Sequence, residues 1–130
     1  RNGEIVGRGC NCRETDKTAL GHAEIAAIKD ACKNLGGWRL WDCTMYVTLE
    51  PCPMCAGAII NARIPRVVCG AMDPKNGACG SVCDLFSMAF NHHPKFESGV
   101  REEESTRLLT DFFEKLREEL RTRPKWKKPE

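Results

Sequence analysis

Two short segments hold the side chains most suited to chemistry: His22-Ala23-Glu24 and Pro51-Cys52-Pro53-Met54-Cys55. Together they offer an imidazole, two thiols and a carboxylate that need not join the other three. Zinc takes thiolate sulfur and imidazole nitrogen in tetrahedral geometry, and catalytic zinc sites keep three protein ligands so that water fills the fourth position. His22, Cys52 and Cys55 would be those ligands. Water on zinc has its pKa lowered to about 7, and Glu24 is then available to move protons for it. The combination is the inventory of a hydrolytic metal centre.

Spacing adds to residue type. Pro53 suits the first position of a helix, where its missing N–H costs nothing, and Cys55 follows Cys52 by about one helical turn. Both sulfurs can then face one metal at the positive end of a helix dipole, which favours thiolate over thiol. Ala23-Glu24-Ile25-Ala26-Ala27-Ile28 likewise opens a helix, so His22 falls at a second helix terminus. The spacing therefore predicts a metal bridging two helix N-termini. Side chains two residues apart on a helix do not face each other, so Glu24 is expected to reach the water rather than coordinate beside His22.

The elements that must position these groups follow from the pattern. Glu4 to Arg8 is β-branched in its middle and runs into a loop rich in Gly, Cys and Asn, as a strand would. Ile25, Ile28, Cys32 and Leu35 recur at helical spacing, and Gly36-Gly37 closes a helix over Ala23 to Leu35. Thr44 to Leu49 reads as a strand that delivers Glu50-Pro51-Cys52 to a helix over Pro53 to Ala62, whose small residues suggest close packing. In open α/β sheets functional groups collect at the carboxyl ends of strands, where the second motif falls. A strand over Arg66 to Ala71, a turn-rich loop over Asp73 to Gly80, a short helix over Ser81 to Phe86 and a weak strand over Lys95 to Val100 follow. The last helix spans Glu102 to Arg121, with Leu108, Leu109, Phe112, Phe113, Leu116 and Leu120 on one apolar face. Strands alternating with helices predict an α/β layered sheet.

Composition bounds the rest. A chain of 130 residues fits one domain, assigned to 1–121, followed by a basic tail over 122–130. Arg121, Arg123, Lys125, Lys127 and Lys128 concentrate positive charge at the C-terminus and could meet phosphates, whereas Pro124 and Pro129 favour a solvated, disordered end. The net charge of +2 does not by itself announce a nucleic-acid binder. Nine cysteines, an odd and scattered set, fit a reducing compartment, so the cytoplasm is expected. The seven outside the metal motif are expected mostly to pack as small hydrophobes. The sequence holds no apolar run of membrane-spanning length and no signal-peptide pattern, which predicts a soluble protein.

His-x-Glu followed by Pro-Cys-x-x-Cys is the signature of zinc deaminases acting on nucleobases. More of the chain agrees: Asn11, Thr48-Leu49-Glu50, Cys55-Ala56-Gly57-Ala58-Ile59, Arg66-Val67-Val68 with Gly70-Ala71, Asp73-Pro74-Lys75-Asn76-Gly77, and Asn91-His92. Over this length, as far as the helix at Leu108 to Leu120, the sequence resembles the bacterial tRNA-specific adenosine deaminases. The resemblance implies a three-layer α/β/α sandwich of the cytidine deaminase type, with a mixed five-stranded sheet in the full-length family. Relatives carry a helix and a first strand ahead of the point where this sequence begins. If Gly3 to Gly9 is the second arm of a hairpin, the missing partner is expected to lower stability and promote self-association.

The resemblance also implies one Zn2+ per subunit and a homodimer that binds the tRNA anticodon stem-loop. Zinc-bound hydroxide would attack C6 of the wobble adenosine, that of arginine tRNA by the resemblance, while Glu24 shuttles protons and inosine is released. Asn11, Ala23, Asp73, Lys75, Asn91 and His92 are the positions that match substrate contacts. His93-Pro94 departs from the family pattern after the Asn-His pair. Each site has a plainer reading. Asn11 and Asp73 are ordinary turn residues, and Glu24 is a carboxylate favoured at a helix N-terminus. Two other functions share the motifs. One is a deaminase of a free nucleobase or nucleoside: guanine, cytosine or cytidine. The other is a zinc-stabilised interaction module, which would need a fourth ligand from Cys10, Cys12, Cys79 or Cys83.

Overall fold

In the computed structural model, which describes residues 1–125 and 129, β1 (Thr44–Leu49) and β2 (Arg66–Ala71) run parallel, from Thr44 opposite Arg66 to Leu49 opposite Ala71. Parallel neighbours need a crossover, and the helix at Pro53–Asn61 provides it. β3 (Lys95–Glu97) adds to the other side of β2, also parallel, giving the order β1-β2-β3. The central strand is buried at five of its six positions, and its apolar run Val67-Val68-Cys69-Gly70-Ala71 suits a strand covered on both faces.

In chain order the helices are α1 (Arg13–Asp16), α2 (Ala23–Leu35), α3 (Pro53–Asn61) and α4 (Glu102–Thr122). Ala31 of α2 and Ala56, Ile59 and Ile60 of α3 join Met45 and Val67 in one apolar cluster. Complete burial of a side chain such as Ile59 or Val67 contributes roughly 1.5–3 kcal/mol. α4 packs on β2 and β1 from the opposite face, so close that a methyl group on Gly70 would collide with the buried Ser105. The result is the expected three-layer α/β/α arrangement. α2 ends where Gly36 adopts φ 72° and donates its N–H to Cys32 O at 2.9 Å.

Four expectations need correction. Glu4 to Arg8 forms no strand. It lies along α2, where Asn34 Nδ2 donates to Val6 O at 2.9 Å and Arg8 N–H donates to Asp30 Oδ2 at 2.9 Å. Gly7 and Gly9 permit the approach, since a Cβ on Gly7 would sit 2.6 Å from Ala27 O. A cavity of about 790 Å³ lies between the segment and β1, and the three strands β1, β2 and β3 pair in parallel. A β-branched run makes a strand only with a ladder partner, and this one is bonded to helix side chains instead.

Second, Ser81 to Phe86 is not a helix; only Leu85–Ser87 makes a 3₁₀ turn. The Leu85 N–H, which a helix would give to Ser81 O, bonds Ala78 O at 2.9 Å, and Cys79 pairs with Asp84 across a turn in which Gly80 N–H donates to Cys83 O at 2.9 Å. Third, the last strand stops at Glu97, ahead of Gly99 at φ 81°. Fourth, the apolar face of α4 is not core: Leu108, Phe112, Phe113 and Leu120 are exposed, and Ser105 is the helix's one buried residue. The short α1 lies in the loop that follows Arg8. Of the basic tail, Lys127 and Lys128 lie outside the described residues.

Candidate metal centre and catalytic site

His22 and Cys52 are the N-cap residues of α2 and α3, both with extended backbone, and neither side chain is spent on a capping hydrogen bond. Pro53 occupies the start of α3, as its fixed φ favours. Two helices thus present their first turns to one point. His22 Nδ1 lies 3.5 Å from Cys52 Sγ and 3.5 Å from Cys55 Sγ. All three donor atoms fall within 4.8 Å of one another. Zinc bonds of about 2.3 Å to sulfur and 2.0–2.1 Å to nitrogen, at tetrahedral angles, require N···S separations of about 3.6 Å. Both N···S separations therefore match those of a tetrahedral zinc site. Two sulfurs and an imidazole are also a soft set that suits zinc and not magnesium or calcium.

Glu24 stands outside the three-donor group, as its position two residues after His22 predicts. Its Oε2 accepts the Cys55 thiol at 3.5 Å, so the carboxylate reaches the centre from the first turn of α2. Burial pushes the Cys55 thiol well above its ordinary range, and the Glu24 carboxylate and Cys52 push it the same way. For Cys55 the direction is opposite to the thiolate that the helix N-terminus was expected to favour. A bound cation reverses that logic, because a coordinating thiol is deprotonated outright.

The remaining predicted contacts fall into two groups. Asp73 is tied to the centre: its N–H donates to Glu50 Oε1 at 2.9 Å, and Glu50 directly precedes Pro51-Cys52. Asp73 Oδ1 in turn accepts the N–H groups of Lys75 at 3.1 Å and Asn76 at 3.2 Å, leaving the Lys75 side chain exposed. Ala23 is the first residue of α2, between His22 and Glu24. Asn11 is exposed and its Oδ1 accepts Arg13 N–H at 3.1 Å, a local turn bond. It lines a small groove with Phe112 and Phe113 of α4.

Asn91 and His92 lie elsewhere. His92 Nε2 is 2.6 Å from Ile64 O, and both residues precede their strands, whereas Cys52 follows the carboxyl end of β1. At about 3.3 Å per residue, the length of β2 puts roughly 17 Å between those two ends of the sheet. His93 Nδ1 is 3.0 Å from Phe86 O. The adjacent histidines do not enter a metal cluster among the described residues.

Sequence reasoning assigned no role to Glu50. It is 2 % exposed and accepts bonds from the Ser81 hydroxyl and from the N–H groups of Asp73, Cys79 and Ser81. Burial raises its pKa, but these bonds together outweigh burial and hold the carboxyl below its usual range. A glutamate between a strand and a proline reads locally as a solvated carboxylate, so only the tertiary contacts reveal it. Cys43, Cys69 and Cys79 are buried as expected of packing residues, while Cys10 and Cys83 are exposed. None of Cys10, Cys12, Cys79 and Cys83 joins the three-donor group, so among the described residues a closed four-ligand site is absent. No helix of the described chain is long and apolar enough to cross a membrane.

Comparison with known proteins gives this geometry a context. A tRNA-specific adenosine deaminase of Bacillus subtilis is 51% identical over 117 residues, covering 89% of this chain and 73% of the relative. Among solved structures, one from work on A-to-I editing by tRNA:A34 deaminases superposes with a TM-score of 0.78 at 45% identity, covering 82% of this chain and 78% of that one. A guanine deaminase from Bacillus subtilis superposes with a TM-score of 0.56 at 30% identity over 98% of this chain and 79% of its own. The three layers are thus those of the cytidine deaminase type. The sequence model of the MafB19-like deaminases matches residues 1–117. A match of that extent, over a chain that brings His22, Cys52, Cys55 and Glu24 together, means that this protein belongs to the MafB19-like deaminase family.

Proposed function

We propose that the chain hydrolyses the exocyclic amine of an adenosine in a tRNA anticodon loop, converting adenosine and water to inosine and ammonia. The observation that carries this reading is the Glu24–Cys55–His22–Cys52 arrangement in a chain 51% identical to a tRNA-specific adenosine deaminase. His22 Nδ1, Cys52 Sγ and Cys55 Sγ would hold one Zn2+. When bound, the metal supplies a water activated near neutral pH and leaves the fourth position for it. Glu24 receives a proton from that water, delivers it to the purine ring nitrogen beside C6, and then assists departure of ammonia from C6. An unpaired loop nucleotide enters such a site with a low unstacking cost.

Asn11, Ala23, Asp73 and Lys75 are the candidate contacts to the extruded nucleotide and its backbone. Asn91 and His92 suit a macromolecular substrate that extends to the far end of the sheet, since a single nucleoside does not span that distance. The wobble position and arginine tRNA are the finer assignment, and a homodimer working in the cytoplasm completes it. The outer side of α3 supports that pairing: no atom lies within 4 Å of where a Cβ on Gly57 would stand, so a second copy can approach closely. The basic tail over 122–130 is a candidate phosphate contact.

A free-base deaminase is the second reading, favoured by the guanine deaminase match over 98% of the chain. The test is ammonia and inosine release by zinc-loaded protein on an arginine anticodon stem-loop, run beside guanine, cytosine, cytidine and adenosine. Turnover on the stem-loop alone is expected. Turnover confined to guanine or another small base would replace this reading with the second.

A further inference from the structure

Glu50 is a sealed carboxylate with no part in metal binding or proton transfer. Oε1 accepts the Asp73 N–H at 2.9 Å and the Ser81 hydroxyl at 2.5 Å; Oε2 accepts the Cys79 N–H at 3.0 Å and the Ser81 N–H at 3.1 Å. Every donor comes from the loop over 73–81. A parallel tie runs from Ala78 N–H to Pro51 O at 2.9 Å. Gly77 completes the fit, because a Cβ there would collide with the Glu50 carboxylate. Glu50 is followed in the chain by the buried Pro51 and then by the candidate ligand Cys52.

An ionised carboxylate is costly to bury unless its lone pairs are satisfied, and an apolar side chain of the same volume commonly serves stability as well or better. What the charge adds here is direction. It accepts only, so it can gather four converging donors that no apolar group could hold. Two chain segments, one bearing Cys52 and Cys55 and the other Asp73 and Lys75, are joined through it.

We propose that Glu50 is a positioning residue: it clasps the 73–81 loop onto the metal-bearing turn and so fixes Asp73 and Lys75 relative to Glu24 and its neighbouring ligands. The kinetic part of this inference rests on the deaminase reading above; the structural part does not. Glu50→Gln tests it, since the amide keeps the shape but turns an N–H₂ donor towards N–H donors. Three quantities are compared with the wild type: zinc content, steady-state kinetics on the stem-loop, and backbone amide exchange. Amides of Asp73, Cys79 and Ser81 should exchange about tenfold or more faster, the scale of a lost bond to a charged group, while the β1–β2 ladder holds. Zinc stays at one per chain, and KM rises by about tenfold with a smaller change in kcat, as expected when ground-state contacts are loosened.

Uniform acceleration of exchange across the sheet, or a fall in kcat with KM unchanged, would mark Glu50 as a stability element and overturn the proposal. If Glu50→Gln does not fold, Ser81→Ala removes the one hydroxyl bond to Glu50 at an exposed residue, keeps the Ser81 backbone N–H bond and buries no new polar group. There the Asp73 and Cys79 amides should loosen and KM rise about threefold; unchanged values would overturn the clasp. Wild-type protein inactive on the stem-loop would refute the proposed function, and the exchange pattern alone would then decide for or against the clasp.

Discussion

Glu24 Oε2 accepts the Cys55 thiol at 3.5 Å, and the same sulfur lies 3.5 Å from His22 Nδ1. One sulfur therefore sees both the imidazole that would share a metal with it and the carboxylate that would not. Glu24→Ala should keep one zinc per chain, because the three donors remain, and lose turnover by about 10²–10⁴-fold, the usual worth of a positioned acid–base group. Metal analysis beside a turnover assay checks both halves. Full activity in that variant would remove Glu24 from the mechanism.

Metal removal should act on stability as well as on activity. Whatever binds the folded chain alone stabilises it by mass action, about 2.7 kcal/mol at a hundredfold excess over Kd. Thermal unfolding with added zinc should therefore shift upward in the wild type and much less in Cys55→Ser, where a hydroxyl replaces a thiolate donor. Equal shifts in the two proteins would mean that zinc binds elsewhere.

The grouping of His22, Cys52 and Cys55 was legible in the sequence because each residue's placement at a helix start depends on local facts. Pro53 starts a helix, Cys55 comes one turn after Cys52, and His22 precedes a helical run closed by Gly36. β1 and β2 were legible for the same reason, their apolar runs being bounded by turns. Glu4 to Arg8 was not: its pattern fits a strand, but its backbone groups are bonded to Asn34 and Asp30 on α2. Ser81 to Phe86 failed because its bonds go outside the segment: Leu85 N–H bonds Ala78 O, and Asp84 pairs with Cys79. Local pattern states what a segment can do, and long-range partners decide which option wins.

Gly9→Ala should show how much the N-terminal segment contributes to the first turn of α2. A Cβ there would stand 2.6 Å from Ala27 N and 3.0 Å from Ala26 Cβ, and would collide with Ala23 O. Either the segment or the helix start must move. Overpacking of this kind typically costs about 1–3 kcal/mol. The midpoint of urea unfolding should fall accordingly, and zinc affinity should fall with it, since Ala23 lies between His22 and Glu24. An unchanged midpoint would mean that the segment is not held against the helix in solution.

Cys69 offers a pH test away from the metal ligands. It is fully buried in β2, its Sγ donates to Ala71 O at 3.0 Å, and burial pushes its thiol from 9.0 up to about 12, with the carboxylates of Glu50 and Glu24 adding to the effect. The sign follows from proton counting. Below the unfolded pKa both states carry the proton and the stabilising difference is complete. Between that value and the folded one the unfolded chain has lost the proton while the native chain keeps it, so stability falls as pH rises. One such group contributes a slope of at most about 1.4 kcal/mol per pH unit. The unfolding free energy should therefore decline from pH 9 towards 12. Cys69→Ala should be less stable at neutral pH, through the lost sulfur, and decline less steeply in the alkaline range. Denaturant titrations at pH 7 to 11 separate the two effects, and parallel alkaline slopes in the two proteins would show that other buried thiols, Cys79 among them, carry the loss.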